Sequence, residues 1–275
     1  GIEGHEISDC ILGAALQQGH SSTNIARQAA IRAGLPVTVA GMSLDRQCAS
    51  GMMAIATAAK QVMYDGMDIV IGGGVESISM VQTPEMRVGS DKWLKDNKPD
   101  MYMTMLETAE NVATRFNISR ESQDAYAAQS QQRTHAAQQA GKLDDEVVAM
   151  STTMMIQNKE TKEITSHDVT IEKDEGNRPE TSAESLAGLK PVFKDGLNLQ
   201  TGEFITAGNA SQLSDGASAS IVMEASLAEK KGLEPLGRYV GVMAVGCEPD
   251  EMGIGPIYAV PKLLEAHGLK MDDIG

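Results

Sequence analysis

Residues 49–63 are apolar almost all round, interrupted only by Ser50, Thr57, Lys60 and Gln61. A helix of that kind has no polar face to offer water, so it belongs in the middle of a domain, covered on several sides. A β-branched and apolar run, 37–44, leads into it, and a short strand, 68–71, follows and runs into Gly72-Gly73-Gly74. Upstream, 10–16 reads as a strand. Thr23 or Asn24 can cap a helix through Ala33, with Gly34 and Pro36 as its stop signals. Strands and helices alternating at these lengths predict a layered α/β domain with a mainly parallel sheet.

The pattern breaks near residue 81. The stretch 82–104 holds the single Trp93, two prolines and many charges without periodicity. Helices are expected over 107–116 and 120–140, with Ser119 as cap and Gly141 as stop. Residues 141–200 are polar, acidic and irregular. They read as an insertion and not a disordered linker, because Met150, Met154, Met155, Ile156, Ile164 and Val169 keep recurring. The sheet pattern resumes at 201 with a turn-rich loop at 207–216. A small-residue strand follows at 217–223, then a helix to Lys231, a strand at 236–246 and a helix at 257–267. The chain stops where another strand is expected, which reads as a sheet cut short.

Lys+Arg 23 against Asp+Glu 38 leaves a formal charge of −15, which argues against nucleic acid or an anionic membrane surface as the main partner. No apolar run approaches the ~18 residues of a membrane helix. No secretory signal is visible, although the opening Gly1-Ile2-Glu3 leaves room for a removed leader. Cys10, Cys48 and Cys247 show no CxxC and no ligand-like spacing to histidine. Neither a disulfide framework nor a metal site is expected, and a reducing compartment is, cytoplasmic or organellar.

Cys48 stands at the start of the apolar helix, where partial positive charge and free amides favour a thiolate. Gly51 and Ala49 leave room for a substrate, and the Cys48 amide could face a developing oxyanion. Free cysteine is also among the most buried residue types and often only fills space, so position alone leaves both readings open. A thiol nucleophile also needs a base. None of His5, His20, His135, His167 and His267 lies in a motif built for a site.

The segment Asp45-Arg46-Gln47-Cys48-Ala49-Ser50-Gly51 resembles the acyl-accepting cysteine motif of the thiolases. Further blocks agree, in the family's order: Asn24-Ile25-Ala26-Arg27-Gln28-Ala29-Ala30, Gly72-Gly73-Gly74-Val75-Glu76-Ser77-Ile78-Ser79-Met80, Thr108-Ala109-Glu110-Asn111-Val112-Ala113, Thr206-Ala207-Gly208-Asn209-Ala210-Ser211 and Met252-Gly253-Ile254-Gly255-Pro256. The resemblance implies a thiolase-like layered α/β/α fold with an inserted, mostly helical loop domain. It divides the chain into an N-terminal α/β domain (1–84 and 201–234), the insertion (85–200) and the opening of a C-terminal domain (235–275).

It further implies an acyl-CoA C-acyltransferase, cleaving 3-ketoacyl-CoA with CoA or joining two acyl-CoAs through an acyl-Cys48 intermediate. Coenzyme A is then a substrate, and no tightly bound cofactor is implied. Ser211 and Ala207 fall near the pantetheine thiol end, Met105 at a pantetheine contact, and Arg178 and Ser185 at the nucleotide end. Acyl-CoA and CoA are the implied partners, with a homo-oligomer, dimer or tetramer. The family's activating histidine and second cysteine lie beyond residue 275, so no thiolysis is expected of these residues alone. Thr104, where acetoacetyl-specific members carry histidine, and Met105-Leu106-Glu107-Thr108, where the family has Gly after Met, favour a degradative or broader 3-ketoacyl-CoA substrate. Two alternatives stand beside this reading: a ketoacyl-synthase-like condensing enzyme, and a degenerate thiolase-like protein that binds acyl-CoA without turnover.

Overall fold

The structure, a computed structural model, describes residues 1–86 and 89–275; residues 87 and 88, inside the unpatterned stretch 82–104, lie outside it. Its helices are α1 (Ile25–Arg32), α2 (Ser50–Tyr64), α3 (Ile78–Val81), α4 (Lys92–Asn97), α5 (Met105–Arg115), α6 (Arg120–Gln139), α7 (Ala183–Ala187), α8 (Ala225–Lys230) and α9 (Gly255–Ala266). Its strands are β1 (Asp9–Gly13), β2 (Ala40–Leu44), β3 (Ile69–Glu76), β4 (Met150–Gln157), β5 (Ile164–Ile171) and β6 (Gly216–Met223). The chain divides into two compact units. The first comprises 1–98, 213–248 and 252–275, and the second 99–212 with 249–251.

The first unit is built on a four-stranded sheet in the order β2-β1-β3-β6. β1 pairs parallel to β2 and β3, while β6 runs antiparallel to β3 along the edge. Because side chains alternate across a strand, Cys10 and Leu12 point to one face. There they pack with Ile69 against Ala26 and Ala30 of α1 and Leu227 of α8. Ile11 and Val70 point to the other face and meet Ala54 and Ala58 of α2. The result is three layers, α/β/α, with the apolar α2 covering one side of the sheet. Small residues make this close approach possible: a Cβ on Gly72 would stand 2.9 Å from the Ile55 Cα.

Asn24 is the α1 cap, its side chain accepting from the Arg27 amide. Two expectations need correcting here. β3 does not stop at residue 71. It continues through Gly72-Gly73-Gly74, because those residues have ladder partners on both sides, in β1 and β6. Conversely, 236–246 forms no strand. Its composition suits one, but no neighbouring strand among the described residues accepts its hydrogen bonds, and strand composition without a partner gives only extended coil.

The second unit comprises α5, α6 and α7, the β4–β5 hairpin and the loops around them. The hairpin was not legible within 141–200, which read as irregular. It runs in register from Met150↔Ile171 to Gln157↔Ile164, and the recurring Met and Ile residues stand on it, mostly exposed. The interior of this unit is unusually polar. Glu107, Glu110, Asp124 and Thr206 are buried alongside Ala113, Ala128, Leu186, Phe193 and Ile205. Glu107 accepts from the Leu197, Asn198 and Leu199 amides at 2.9, 2.6 and 3.0 Å. One turn further along α5, Glu110 accepts from Glu203, Phe204 and Ile205. Burial alone would raise the Glu107 carboxyl's pKa, but the three amide donors outweigh it and hold the group below the ordinary carboxylate value.

Candidate active site

Between the end of β2 and the start of α2 the chain makes a tight turn with Gln47 in the left-handed region, φ 48°. Asp45 Oδ1 accepts from the Gln47 amide at 2.6 Å. The Ser50 hydroxyl donates to the Gln47 carbonyl at 2.6 Å and accepts from the Arg46 amide at 2.8 Å. These bonds brace the backbone on both sides of Cys48 and leave its side chain exposed. The first turn of α2 is seated against the strand ends. A Cβ on Gly13 would stand 2.5 Å from the Gly51 nitrogen, and one on Gly74 would stand 3.3 Å from both the Gly51 Cα and the Gly13 carbonyl oxygen. The thiol therefore stands on a fixed turn, two residues before a fifteen-residue helix whose N-terminal amides favour negative charge.

The other two cysteines are placed differently. Cys10 is buried in β1, where burial and then the neighbouring Asp9 push its thiol pKa up. Cys247 is half-buried, its sulfur 4.0 Å from the Met252 carbonyl. Among the described residues the Cys48 sulfur has no hydrogen-bond partner, and His167 is engaged with Thr165 on the exposed hairpin.

The remaining candidates all lie in the second unit. Met105 is the first residue of α5 and exposed, behind a Thr104 cap that accepts from the Glu107 amide at 3.3 Å. Arg178 is exposed, and its amide donates to Gln131 Oε1 at 2.8 Å. Ser185 closes a capping box on α7, accepting from the Ser182 amide and donating to the Ser182 carbonyl. Its hydroxyl thus already has a local duty. Ala207 and Ser211 are exposed on either side of Asn209. Structure brings 178–185 and 207–211 onto a common support, α6. Cys48 is held by the other unit.

Sequence reasoning missed the buried carboxylates Glu107, Glu110 and Asp124 and the half-buried Asn209 that pairs with Asp124. A signal was available. Glu107, Glu110 and Ala113 recur at helical spacing, so two carboxylates share a helix stripe with a small apolar residue, and a charge on such a stripe must be paired.

Comparison with known proteins agrees with the layered α/β fold. The thiolase N-terminal domain family model matches residues 1–226 and the thiolase C-terminal domain model residues 233–275. A 3-ketoacyl-CoA thiolase of Bacillus subtilis (strain 168) is 39% identical over 276 residues, covering 100% of this chain and 68% of that protein. The crystal structure of the Bacillus anthracis acetyl-CoA acetyltransferase is 37% identical with a TM-score of 0.79, over 99% of this chain and 68% of that one. The dimeric peroxisomal thiolase of Saccharomyces cerevisiae is 34% identical with a TM-score of 0.82, over 99% and 65%. The chain thus spans about two thirds of the length of the relatives it matches.

Proposed function

This chain belongs to the thiolase family, and from that premise we propose that Cys48 is the acyl-accepting nucleophile of an acyl-CoA C-acyltransferase. In the cleavage direction the Cys48 thiolate adds to the 3-keto carbonyl of a 3-ketoacyl-CoA. The bond between the 2- and 3-carbons breaks, and its electron pair takes up a proton to release acetyl-CoA. The shortened acyl group stays on the sulfur as a thioester. Coenzyme A thiolate then attacks that thioester, forms the new acyl-CoA and frees Cys48. Condensation is the reverse.

The observation that carries this reading is the placement of Cys48. It is the exposed cysteine, on a turn whose flanking amides and carbonyl are already satisfied by Asp45 and Ser50. A fixed nucleophile loses little freedom on reaching its transition state, and the first amides of α2 suit a developing oxyanion. Met105, Ala207 and Ser211 would contact pantetheine, and Arg178 and Ser185 the nucleotide end. Arg178 is the physically suited cation, since a planar guanidinium both pairs with phosphate and stacks on adenine. Coenzyme A acts as a substrate with no resident cofactor. A homo-oligomer, the division into 1–84 with 201–234, 85–200 and 235–275, a degradative 3-ketoacyl-CoA substrate and a reducing cytoplasmic or organellar setting complete the proposal.

The test reads the covalent intermediate and not turnover. After incubation of the full-length protein with acetoacetyl-CoA, peptide mass spectrometry should find an acetyl group on Cys48, and Cys48→Ser should abolish it. Binding of CoA without any adduct on Cys48 would instead support an acyl-CoA-binding protein and sink the enzymatic reading.

A further inference from the structure

We propose that the inward face of α6 is a positioning rail that sets the spacing between the Arg178 contact at the nucleotide end and the Ala207–Ser211 contacts at the thiol end of bound coenzyme A, with Gln131 and Asp124 as its holding points and Arg120 tying the Ser185 helix in beside Asp124. The inference rests on the assignment of Arg178, Ser185, Ala207 and Ser211 to coenzyme A given above. It goes further by naming the residues that hold those contacts in place. Arg120, Asp124, Ala128 and Gln131 fall on one stripe of α6, the stripe a helix ordinarily fills with apolar side chains. Asp124 is 3% exposed and the Arg120 side chain 17% exposed. Charges so placed are costly unless fully paired; here they pair with each other, and their remaining bonds go to segments bearing a proposed contact.

At the C-terminal end of the stripe, Gln131 Oε1 accepts from the Arg178 amide at 2.8 Å and from Asn177 Nδ2 at 2.9 Å. The Gln131 carbonyl accepts from Asn177 Nδ2 as well, also at 2.9 Å. At the N-terminal end, Arg120 Nη2 donates to the carbonyls of Leu186 and Leu189, at 2.8 and 3.1 Å. These carbonyls close α7, the helix of Ser185. Arg120 Nε donates to Asp124 Oδ2 at 2.8 Å. The other oxygen, Asp124 Oδ1, accepts from Asn209 Nδ2 at 2.9 Å. Asn209 sits inside the turn of Ala207 and Ser211. Its Nδ2 also donates to the Phe204 carbonyl at 2.9 Å, and its Oδ1 accepts from the Thr206 amide at 2.8 Å.

The turn is held from below as well. Thr206 Oγ1 accepts from the Gly208 and Asn209 amides, and the Ala210 amide donates to the Thr206 carbonyl. Gly208 packs so tightly on α7 that a Cβ there would meet Leu186 and stand 2.6 Å from Leu189 Cδ1. Apolar packing alone would anchor these segments but would let them slide, because it is non-directional. Hydrogen bonds to three points on one helix do not slide. Asp124 and Gln131 are seven residues apart, about 10 Å along the axis at 1.5 Å per residue, and that interval is passed on to the Arg178 segment and the turn of Ala207 and Ser211.

The test is calorimetric titration of the 275-residue chain with coenzyme A and with pantetheine, which lacks the nucleotide. Gln131→Ala removes two side-chain bonds from the Arg178 segment. It should weaken coenzyme A binding about tenfold while leaving pantetheine within about twofold. Arg178→Ala should behave alike, and the double variant should be no worse than Arg178→Ala, because Gln131 acts through Arg178. Asp124→Asn should weaken both ligands, since it loosens the turn of Ala207 and Ser211. If that variant does not fold, the half-buried Gln131 decides the matter alone. Coenzyme A affinity unchanged in Gln131→Ala, or an equal loss for both ligands tracking a lower melting temperature, would overturn the rail while the functional reading stands. Failure of the unaltered chain to bind either ligand would remove the functional reading and the rail together.

Discussion

Replacing Gly13 by alanine should disturb the Cys48 turn through a single methyl group. Gly13 ends β1, and a Cβ there would stand 2.5 Å from the Gly51 nitrogen and closer still to the Ser50 carbonyl. Ordinary contact between such atoms lies near 3.5 Å. The first turn of α2 must therefore retreat by about 1 Å or the strand end must bend. Both partners are backbone, so no rotamer change relieves the clash. Overpacking of this kind costs about 1–3 kcal/mol. At roughly 2–4 °C per kcal/mol for a chain of this size, the melting temperature should fall by roughly 2–12 °C. The same retreat moves Ser50 and so loosens the bonds that brace Gln47 and Arg46 around the thiol. Two measurements check it: differential scanning calorimetry, and the rate at which iodoacetamide alkylates Cys48. Gly246→Ala is the control, because a Cβ there meets nothing within 4 Å. If Gly13→Ala melted within a degree of the unaltered chain and its Cys48 reacted at the same rate, the seating of α2 on the strand ends would not be what fixes the thiol.

Thiol labelling with iodoacetamide should modify Cys48 long before Cys10, whose burial and neighbouring Asp9 both oppose the thiolate; peptide mass spectrometry showing equal rates would contradict the burial of β1. Glu107→Gln should cost about 2–3 kcal/mol at pH 7, since an amide NH2 replaces one carboxylate oxygen facing backbone donors. The folded carboxyl titrates below its unfolded value of 4.5, so its stabilisation is complete above that value and disappears as pH falls through the folded pKa. Urea midpoints of the two proteins should accordingly converge as pH falls below 4.5, and a gap that stayed constant with pH would refute the ionic role. Asn24→Ala should lose about 1–2 kcal/mol by urea denaturation, because it removes the α1 cap, the bond to the Gly41 carbonyl at 2.8 Å and a residue suited to φ 58°.

Legibility differed sharply between the two units. In the first, the all-round apolar run of α2 and the short apolar run at 10–16 announced a buried helix and a strand, while which residues face which side was settled by packing. The apolar helix drew attention to Cys48 at its start, but position alone left nucleophile and space-filler open, and the motif blocks around it carried the reading. In the second unit the hydrogen bonds that matter span 47 to 95 residues, from Gln131 to Arg178, from Asp124 to Asn209 and from Glu110 to Ile205. No local period reports such partners. The hairpin β4–β5 escaped notice because its two sides carry Met, Thr, Ser and Ile without clean alternation.

What the sequence by itself determined is the layered α/β frame, the placing of Cys48 before α2 and the thiolase resemblance. These follow from local periodicity, capping and motif order, which short-range sterics and side-chain burial dictate. Tertiary structure alone decided three further things. Gly72-Gly73-Gly74 became strand because β1 and β6 supplied ladder partners, and 236–246 forms no strand, having no partner strand among the described residues. The buried Glu107, Glu110 and Asp124 became fasteners, because a carboxylate's role depends on which amides reach it. Partners are a property of the folded chain, and composition does not carry them.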